Sequence, residues 1–280
     1  MLTTRQKLFF VRIVSFPVRL VSGIFFKPPV RVRRNKINWS LDLNEAIDLV
    51  IFLIGNFEPR TIRNYRQTLS NGAVVFDIGA NIGSHTLPLA KIVQPNGMIY
   101  AFEPTHYAFD KLKYNVGLNP DLLEFIRVEQ ILLSGVEEDH QVEEIASSWP
   151  IKTNNKTHKL HGGESKTTSG ARTTSLDSFV EVNNINTLNL IKIDVDGNEL
   201  DVLKGALKTI NKFKPLIMFE LAPYALKEKG YSGPELIRTL KELGYEFSKK
   251  PYGSKITLSG EELSLSIPDG SSINLWGIPT

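Results

Sequence analysis

Ala73-Val74-Val75-Phe76-Asp77-Ile78-Gly79-Ala80-Asn81-Ile82-Gly83-Ser84-His85-Thr86 reads as a buried strand running into an acidic, glycine-spaced turn. The apolar run predicts the strand, Asp77 stands at its end, and Gly79 and Gly83 let the backbone fold closely against a ligand before a helix starts. A second apolar run, Met98-Ile99-Tyr100-Ala101-Phe102, ends at Glu103. It lies about twenty residues beyond the turn, the spacing at which a mononucleotide-binding strand–helix–strand unit grips a ribose.

Outward from this pair the same alternation continues. A helix is predicted after Ser84, with Pro88 tolerated near its first turn, then another over 107–116 and a third strand near 125–133. Residues 149–172 are polar and rich in Lys, Thr, Ser, Asn and Gly, the composition of an exposed loop with room for a hairpin. Leu188-Asn189-Leu190-Ile191-Lys192-Ile193-Asp194 predicts a buried strand, and apolar residues at 200, 203, 206, 207 and 210 predict one amphipathic helix after it. A further strand is expected over 215–220, a helix from Gly233-Pro234-Glu235 to 243, and short strands over 245–249, 256–258 and 273–278 that close one sheet edge. Upstream, a strand over 37–43 precedes a helix capped by Asn44 and stopped by Gly55, and Pro59 opens a second helix through 69.

Strands alternating with helices imply a parallel sheet covered on both faces, with ligands beyond the carboxyl ends of the strands near the topological switch point. Asp77, Glu103, Asp194 and Glu220 all fall at strand ends. Because a buried unpaired acid is costly, four carboxylates on one rim read as a site rather than as packing.

The bulk composition narrows the possibilities further. At 280 residues the chain can bury a sizeable core. It has no cysteine, which removes disulfides, thiolate metal sites and cysteine nucleophiles. No metal-ligand set is read from the sequence. Residues 1–36 hold nine of the 33 Lys and Arg and no acid, leaving 24 basic against 30 acidic residues in the remainder. This basic amphipathic extension has no uncharged run near the roughly 20 residues needed to span a bilayer, and Arg12 interrupts any signal-peptide core. Its basic residues are interleaved with too much apolar surface for a nucleic-acid arm. It suits either packing on the body or contact with an anionic membrane surface. The expected division is therefore 1–36 extension, 37–72 strand and helical cover, and 73–280 main domain, in a cytoplasmic protein with peripheral membrane contact through the extension. Oligomeric state is not legible.

Charge selects the ligand. A carboxylate at the mouth of the glycine turn would repel a pyrophosphate by several kcal/mol in a low-dielectric cleft, which counts against NAD. S-adenosylmethionine meets the same rim with an ammonium for Asp77, a carboxylate for Gly83, Ser84 and Asn81 at the helix start, and ribose hydroxyls for Glu103.

The 77–86 turn, Phe102-Glu103-Pro104, Thr174-Ser175-Leu176-Asp177, Lys192-Ile193-Asp194-Val195-Asp196-Gly197-Asn198-Glu199 and Gly55-Asn56-Phe57-Glu58-Pro59 together resemble the FkbM-type methyltransferase family, over about residues 40–280. Asp196 and Asn198 stand where that family commonly has Glu and Ala. The resemblance implies a class I S-adenosylmethionine-dependent methyltransferase fold: a Rossmann-like, doubly wound sheet, mostly parallel with an antiparallel last strand. It also implies methylation of a hydroxyl on a glycan or small-molecule acceptor.

On this reading Asp77, Gly79, Asn81, Gly83, Ser84 and Glu103 bind cofactor, with Glu58 folding over it and Ser134 near the adenine. Asp194 is the first candidate for a base, with Lys192 holding it ionised and Glu220, Glu199 and His85 behind it; a structural Lys192–Asp194 pair is the plainer alternative. Two other readings compete. Asp194-Val195-Asp196 could serve a metal-dependent glycosyltransferase, or the chain could be a non-catalytic membrane-associated module.

Overall fold

Asn35 and Lys36 both take left-handed backbone, at φ 49° and 63°. That two-residue turn matches the twist of paired strands, so β1 (Val30–Arg34) folds back on β2 (Ile37–Leu41). The computed structural model describes residues 29–135, 143–151, 155, 157–160 and 162–280. Most of the basic extension, residues 1–28, lies outside the described residues. Val30–Arg34, grouped with that extension on sequence, is paired strand.

Helix α1 (Ala46–Ile54) ends as expected on Gly55, but its N-cap is Glu45 rather than Asn44. Glu45 is drawn there by a distant segment, its carboxylate accepting from Ser148 Oγ (2.9 Å) and the Trp149 N–H (2.8 Å). Helix α2 (Pro59–Thr68) opens on proline as predicted. The alternating core follows: β3 (Val74–Ile78), α3 (Thr86–Val93), β4 (Met98–Phe102), α4 (His106–Gly117) and a 3-10 turn (Pro120–Phe125). The expected third strand is two strands, β5 (Ile126–Glu129) and β6 (Ile131–Leu133), parted at Gln130.

A hairpin forms, but only one of its strands lies in the polar excursion: β7 (Glu144–Ser148) precedes it and pairs with β8 (Glu164–Thr167), followed by β9 (Arg172–Thr174), which pairs with β6. After α5 (Leu176–Val182) and β10 (Leu190–Ile193), the single helix expected beyond Asp194 is broken into α6 (Glu199–Lys204) and α7 (Leu207–Phe213). Then come β11 (Leu216–Leu221), α8 (Pro223–Glu228), α9 (Gly233–Glu242), β12 (Tyr245–Ser248), α10 (Gly260–Leu265) and β13 (Ile273–Pro279). Residues 256–258, expected as a strand, leave only an isolated bridge nearby, Ser248 to Lys255.

Seven of these strands form one sheet in the order β12-β13-β11-β10-β3-β4-β5. The β5-β4-β3-β10-β11 run is parallel, and β13 is antiparallel to both neighbours. Alternation along the strands sorts side chains into two cores. Val75, Ile99, Leu190 and Met218 face α1 to α3 with Trp39, Leu41, Leu49, Ile62 and Tyr65. Phe76, Ile78, Ile191, Ile193 and Phe219 face α5 to α7 and α9. Each of the largest side chains contributes roughly 1.5–3 kcal/mol by leaving water. The chain proceeds from β3 to β4 on one side and reaches β10 on the other, so the switch point lies between β3 and β10. No helix among the described residues is long and apolar enough to cross a membrane.

Candidate active site

A cleft opens at that switch point, over the carboxyl ends of β3, β4 and β10. Of the residues singled out on sequence, Gly79, Asn81, Ser84, Glu103, Lys192 and Asp194 line it, together with His85. Asp77, Gly83, Glu58, Ser134 and Glu220 do not.

Gly79 fixes the turn. At φ +78° it adopts backbone that favours glycine, and a Cβ there would stand 1.9 Å from the Asp194 carbonyl oxygen. The Gly79 and Ala80 N–H groups both donate to the Phe102 carbonyl at 3.0 Å, locking the turn to the end of β4. Gly83, at φ +92°, serves packing: its missing Cβ makes room for Leu112 on α4.

Glu103 is the hub between turn and hairpin. Its Oε1 accepts from the Thr105 N–H (3.0 Å) and Thr105 Oγ1 (2.6 Å), and its Oε2 accepts from the Asn81 N–H (2.9 Å). A carboxylate offers about four lone-pair positions, so Oε2 keeps one for a further donor. Burial pushes its carboxyl up, opposed by the Thr105 and Asn81 donors. Asn81, itself left-handed at φ 48°, donates from Nδ2 to the Ser147 carbonyl (3.0 Å), and Ser147 Oγ meets Thr105 Oγ1 at 2.7 Å. In this way β7 becomes a wall of the cleft.

The opposite wall is built on Lys192. In the parallel register Lys192 stands beside Asp77, so both side chains leave the sheet on the same face. The ammonium donates to the Gly79 carbonyl (2.7 Å) and the Ile78 carbonyl (3.1 Å), 3.2 Å from Asp77 Oδ1 and 3.9 Å from Asp194 Oδ2. The contact with Oδ1 is an ion pair rather than a directed hydrogen bond. Burial pulls the ammonium down, but Asp77 and Asp194 outweigh it and hold Lys192 charged.

Asp77 has partners that its place in the sequence did not show. The side chain is 0 % exposed, its Oδ2 accepts from Thr86 Oγ1 (2.6 Å), and its charge is met from inside by Lys192. Sequence spacing placed the carboxylate at a strand end without revealing the cation one strand away.

Asp194 does open into the cleft, with 35 % of its side chain exposed. Its walls push the carboxyl above its ordinary value while Lys192 opposes them. Asp196, at φ 50°, is pushed well up by burial and by Asp194. Glu220 is raised in the same way by burial and by Asp194 and Asp196, but it stands one strand away on β11, behind the cleft wall. Glu58 Oε2 accepts from Thr61 Oγ1 (3.0 Å) and Asn274 Nδ2 (2.6 Å), which holds it back from the lining. The Ser134 N–H donates to the Thr174 carbonyl, on the far side of β6.

Glu199 braces the Asp194–Gly197 loop from beneath, Oε1 accepting from the Val195 N–H (3.1 Å) and the Gly197 N–H (3.3 Å). Burial pushes it from 4.5 up to about 7. Between those values the folded chain binds more protons than the unfolded one, so stability falls as pH rises through the window and levels off above it. At about 1.4 kcal/mol per unit the loss is on the order of 3 kcal/mol. Glu199→Gln is expected to remove that slope, read from urea denaturation at pH 5 and pH 8; an unchanged slope would place the titration elsewhere.

Phe57, expected with Glu58 to fold over the cofactor, also lines the cleft, and the rest of the lining was not read from sequence. Ile131, Leu132 and Leu133 supply an apolar floor, and Trp149, Phe57 and Ile47 an aromatic and aliphatic lip. Trp149 and Ser147 sit in or beside the polar excursion, where no local pattern marks them.

Comparison with known proteins follows the same lines. The family profile described as Methyltransferase FkbM domain matches residues 77–247. The hexuronic acid methyltransferase AglP of Haloferax volcanii is 34% identical over 157 residues, which is 55% of this chain and 59% of that protein. The match therefore spans less than two thirds of the relative's length. Among solved structures, the methyltransferase FkbM from Methylobacillus flagellatus aligns over 75% of this chain and 44% of its own, at 16% identity and a TM-score of 0.45. A SAM-dependent O-methyltransferase from Thermotoga maritima aligns over 93% and 82%, at 11% identity and a TM-score of 0.43.

Proposed function

The chain belongs to the methyltransferase FkbM domain family, and from that premise we propose that it transfers the methyl group of S-adenosylmethionine to a hydroxyl oxygen of a glycan acceptor. The observation that carries the reading is the pair of walls at the switch point. One wall is the glycine turn with Glu103; the other is the Lys192–Asp194 pair.

The residues suit this cofactor. Glu103 keeps an acceptor position after its three short hydrogen bonds, as a ribose hydroxyl requires. Ile131 to Leu133 offer apolar surface to an adenine, and Asn81 and Ser84 present polar groups at the turn. Asp194 and Asp196 line the opposite wall, where the approach of a sulfonium cation would favour their ionised forms. When bound, S-adenosylmethionine supplies an electrophilic methyl group. Asp77 acts here as a positioning residue, anchoring the Lys192 that holds the Gly79 carbonyl. Gly83 and Ser134 support the turn and the floor, and Glu220 stands near Asp194 at the end of the neighbouring strand. The relative named for hexuronic acid methylation supports a uronate-bearing glycan as acceptor. Peripheral contact with an anionic membrane through the basic extension belongs to the same proposal.

The test is binding. S-adenosylhomocysteine is expected to bind in calorimetry and raise the melting temperature, and Glu103→Gln to weaken that binding about 10- to 100-fold, since a hydrogen bond to a charged group is worth roughly 1.5–3 kcal/mol. Stabilisation by UDP with Mn2+ and none by S-adenosylhomocysteine would reverse the reading in favour of a glycosyltransferase. Among the described residues no three His, Asp or Glu side chains converge in a way that could hold a metal ion, so that rival has no supporting observation.

A further inference from the structure

His85 begins the helix that leaves the glycine turn, and its imidazole is 3 % exposed. Nδ1 lies 3.2 Å from the Tyr65 hydroxyl, and the rings of Phe57 and Tyr65 stand edge-on to it at 6.2 and 5.8 Å. The ring is therefore held in one orientation by packing and by one hydrogen bond. Nε2 is different: it is buried and has no hydrogen-bond partner among the described residues, with Glu58 Oε2 at 3.8 Å too far to serve. His85 is also one of the residues lining the cleft. A buried nitrogen left without a partner is destabilising, so a histidine kept only for packing would be worse than a phenylalanine there. The unpartnered nitrogen of a cleft-lining residue calls for a partner that arrives with the substrate.

We propose that His85 Nε2 docks the acceptor hydroxyl and takes its proton as the methyl group is transferred. The proposal rests on the methyltransferase reading and extends it to the acceptor side. A hydroxyl oxygen forms its new bond to the methyl carbon with a lone pair, while the carbon–sulfur bond breaks and leaves its pair on sulfur. The hydroxyl's proton passes to Nε2 and is released to solvent after the product leaves. For this the resting imidazole must be neutral, with its proton on Nδ1 shared with the Tyr65 oxygen.

The surroundings fit both states of the ring. Burial and the Lys192 ammonium hold His85 below its ordinary value, so it rests uncharged. The charged or titratable groups facing it are Glu58 ahead of α2, Tyr65 on α2, Asp77 on β3, and Lys192 and Asp194 at the end of β10. Glu58, Asp77 and Asp194 offset part of the penalty from burial and Lys192 and so ease formation of the imidazolium as the proton arrives. Tyr65, pushed well above its ordinary value by burial and by these acids, stays protonated and remains a partner for Nδ1. Asp194 is the weaker candidate for the proton. Its carboxylate is 35 % exposed and 3.9 Å from the Lys192 ammonium, so water and a cation already share it, and it is better placed to orient a neighbouring hydroxyl of the acceptor.

The experiment uses the full chain labelled with 15N-histidine and saturated with S-adenosylhomocysteine, with His85→Gln assigning the signal in long-range proton–nitrogen spectra. A neutral His85 at pH 7 with its proton on Nδ1 is expected; a proton on Nε2, or a cationic ring, overturns the proposal. In turnover with labelled S-adenosylmethionine and methyl glucuronide, His85→Gln is expected to lower kcat about 10²- to 10⁴-fold, the range for general-base removal, with S-adenosylhomocysteine affinity within threefold. Tyr65→Phe should lower kcat about tenfold and move the acid limb of its pH profile. An unchanged kcat in His85→Gln overturns the proposal. Failure of wild type to bind S-adenosylhomocysteine instead removes the methyltransferase reading, and absent turnover of the glucuronide removes the uronate acceptor; the NMR measurement, made on the free chain in the first case, decides His85 in both.

Discussion

Lys192→Met is expected to destabilise the fold by about 3–5 kcal/mol, the cost of breaking a buried ion pair by removing one partner, and to abolish S-adenosylhomocysteine binding. Two consequences of one substitution lie behind this. Asp77, fully buried, would keep only Thr86 as a partner among the described residues, and the Ile78 and Gly79 carbonyls would lose their shared donor. The first effect is energetic and the second geometric, and a second variant separates them. Lys192→Met combined with Asp77→Leu removes both charges and should recover much of the stability, because a buried pair exchanged for apolar groups is often neutral. Binding should stay lost, since nothing then holds the Gly79 carbonyl. Urea denaturation and calorimetry read the two quantities independently. Recovery of binding in the double variant would show that the ammonium serves only to neutralise Asp77.

Gly79→Ala is expected to be nearly as severe, with S-adenosylhomocysteine affinity falling at least about 100-fold and stability by about 2 kcal/mol or more. The added methyl would meet a backbone carbonyl at 1.9 Å rather than a side chain that can swing away. Either β10 retreats from β3 at its end or the turn abandons its two bonds to the Phe102 carbonyl. Both movements displace Glu103 relative to Asp194, and so disturb the distance between the two walls. Gly117→Ala on α4 is the control, since nothing lies within 4 Å of a Cβ there. Wild-type affinity in Gly79→Ala would mean that the turn is not the cofactor's seat.

The strands of the central sheet were legible because β3, β4, β10 and β11 are apolar runs bounded by turn residues, and a parallel sheet buried on both faces needs such runs. What escaped depends on partners far along the chain. The break between α6 and α7 is made by Asp177 on α5, whose carboxylate accepts from the Lys208 N–H (3.0 Å) and the Thr209 N–H (2.7 Å) and caps the second helix from outside. The apolar spacing over 200–210 carries no trace of that cap. Gln130 parts β5 from β6 while donating to the Ser169 carbonyl (2.9 Å), again a contact no local window contains. Helix α10 is a different kind of omission: Ser259 and Glu262 form a capping box that was readable in the residues themselves.

For the site, residue spacing located the carboxylates at strand ends but not the face each would take. Asp77 turns inward because Lys192 occupies the adjacent register position. Glu220 leaves its strand on the same side as Met218, where the end of β11 looks toward Asn274 and Glu58 rather than into the cleft. On sequence His85 stood behind the carboxylates as a candidate base, a histidine beside a glycine turn. What sets it apart is Tyr65, twenty positions earlier, and a second nitrogen with no partner among the described residues.

The hairpin at the front of the chain bears on how the protein can be handled at the bench. Trp39, Leu41, Leu49, Ile62 and Tyr65 share one apolar core with Val75, Ile99 and Met218, while β13 joins β12 to β11. A recombinant piece trimmed to the matched stretch 77–247 would therefore shed the lining of one sheet face and bare the open edge of β11, conditions that invite self-association. Excision for crystallisation or screening has to start before Val30 and run through Pro279.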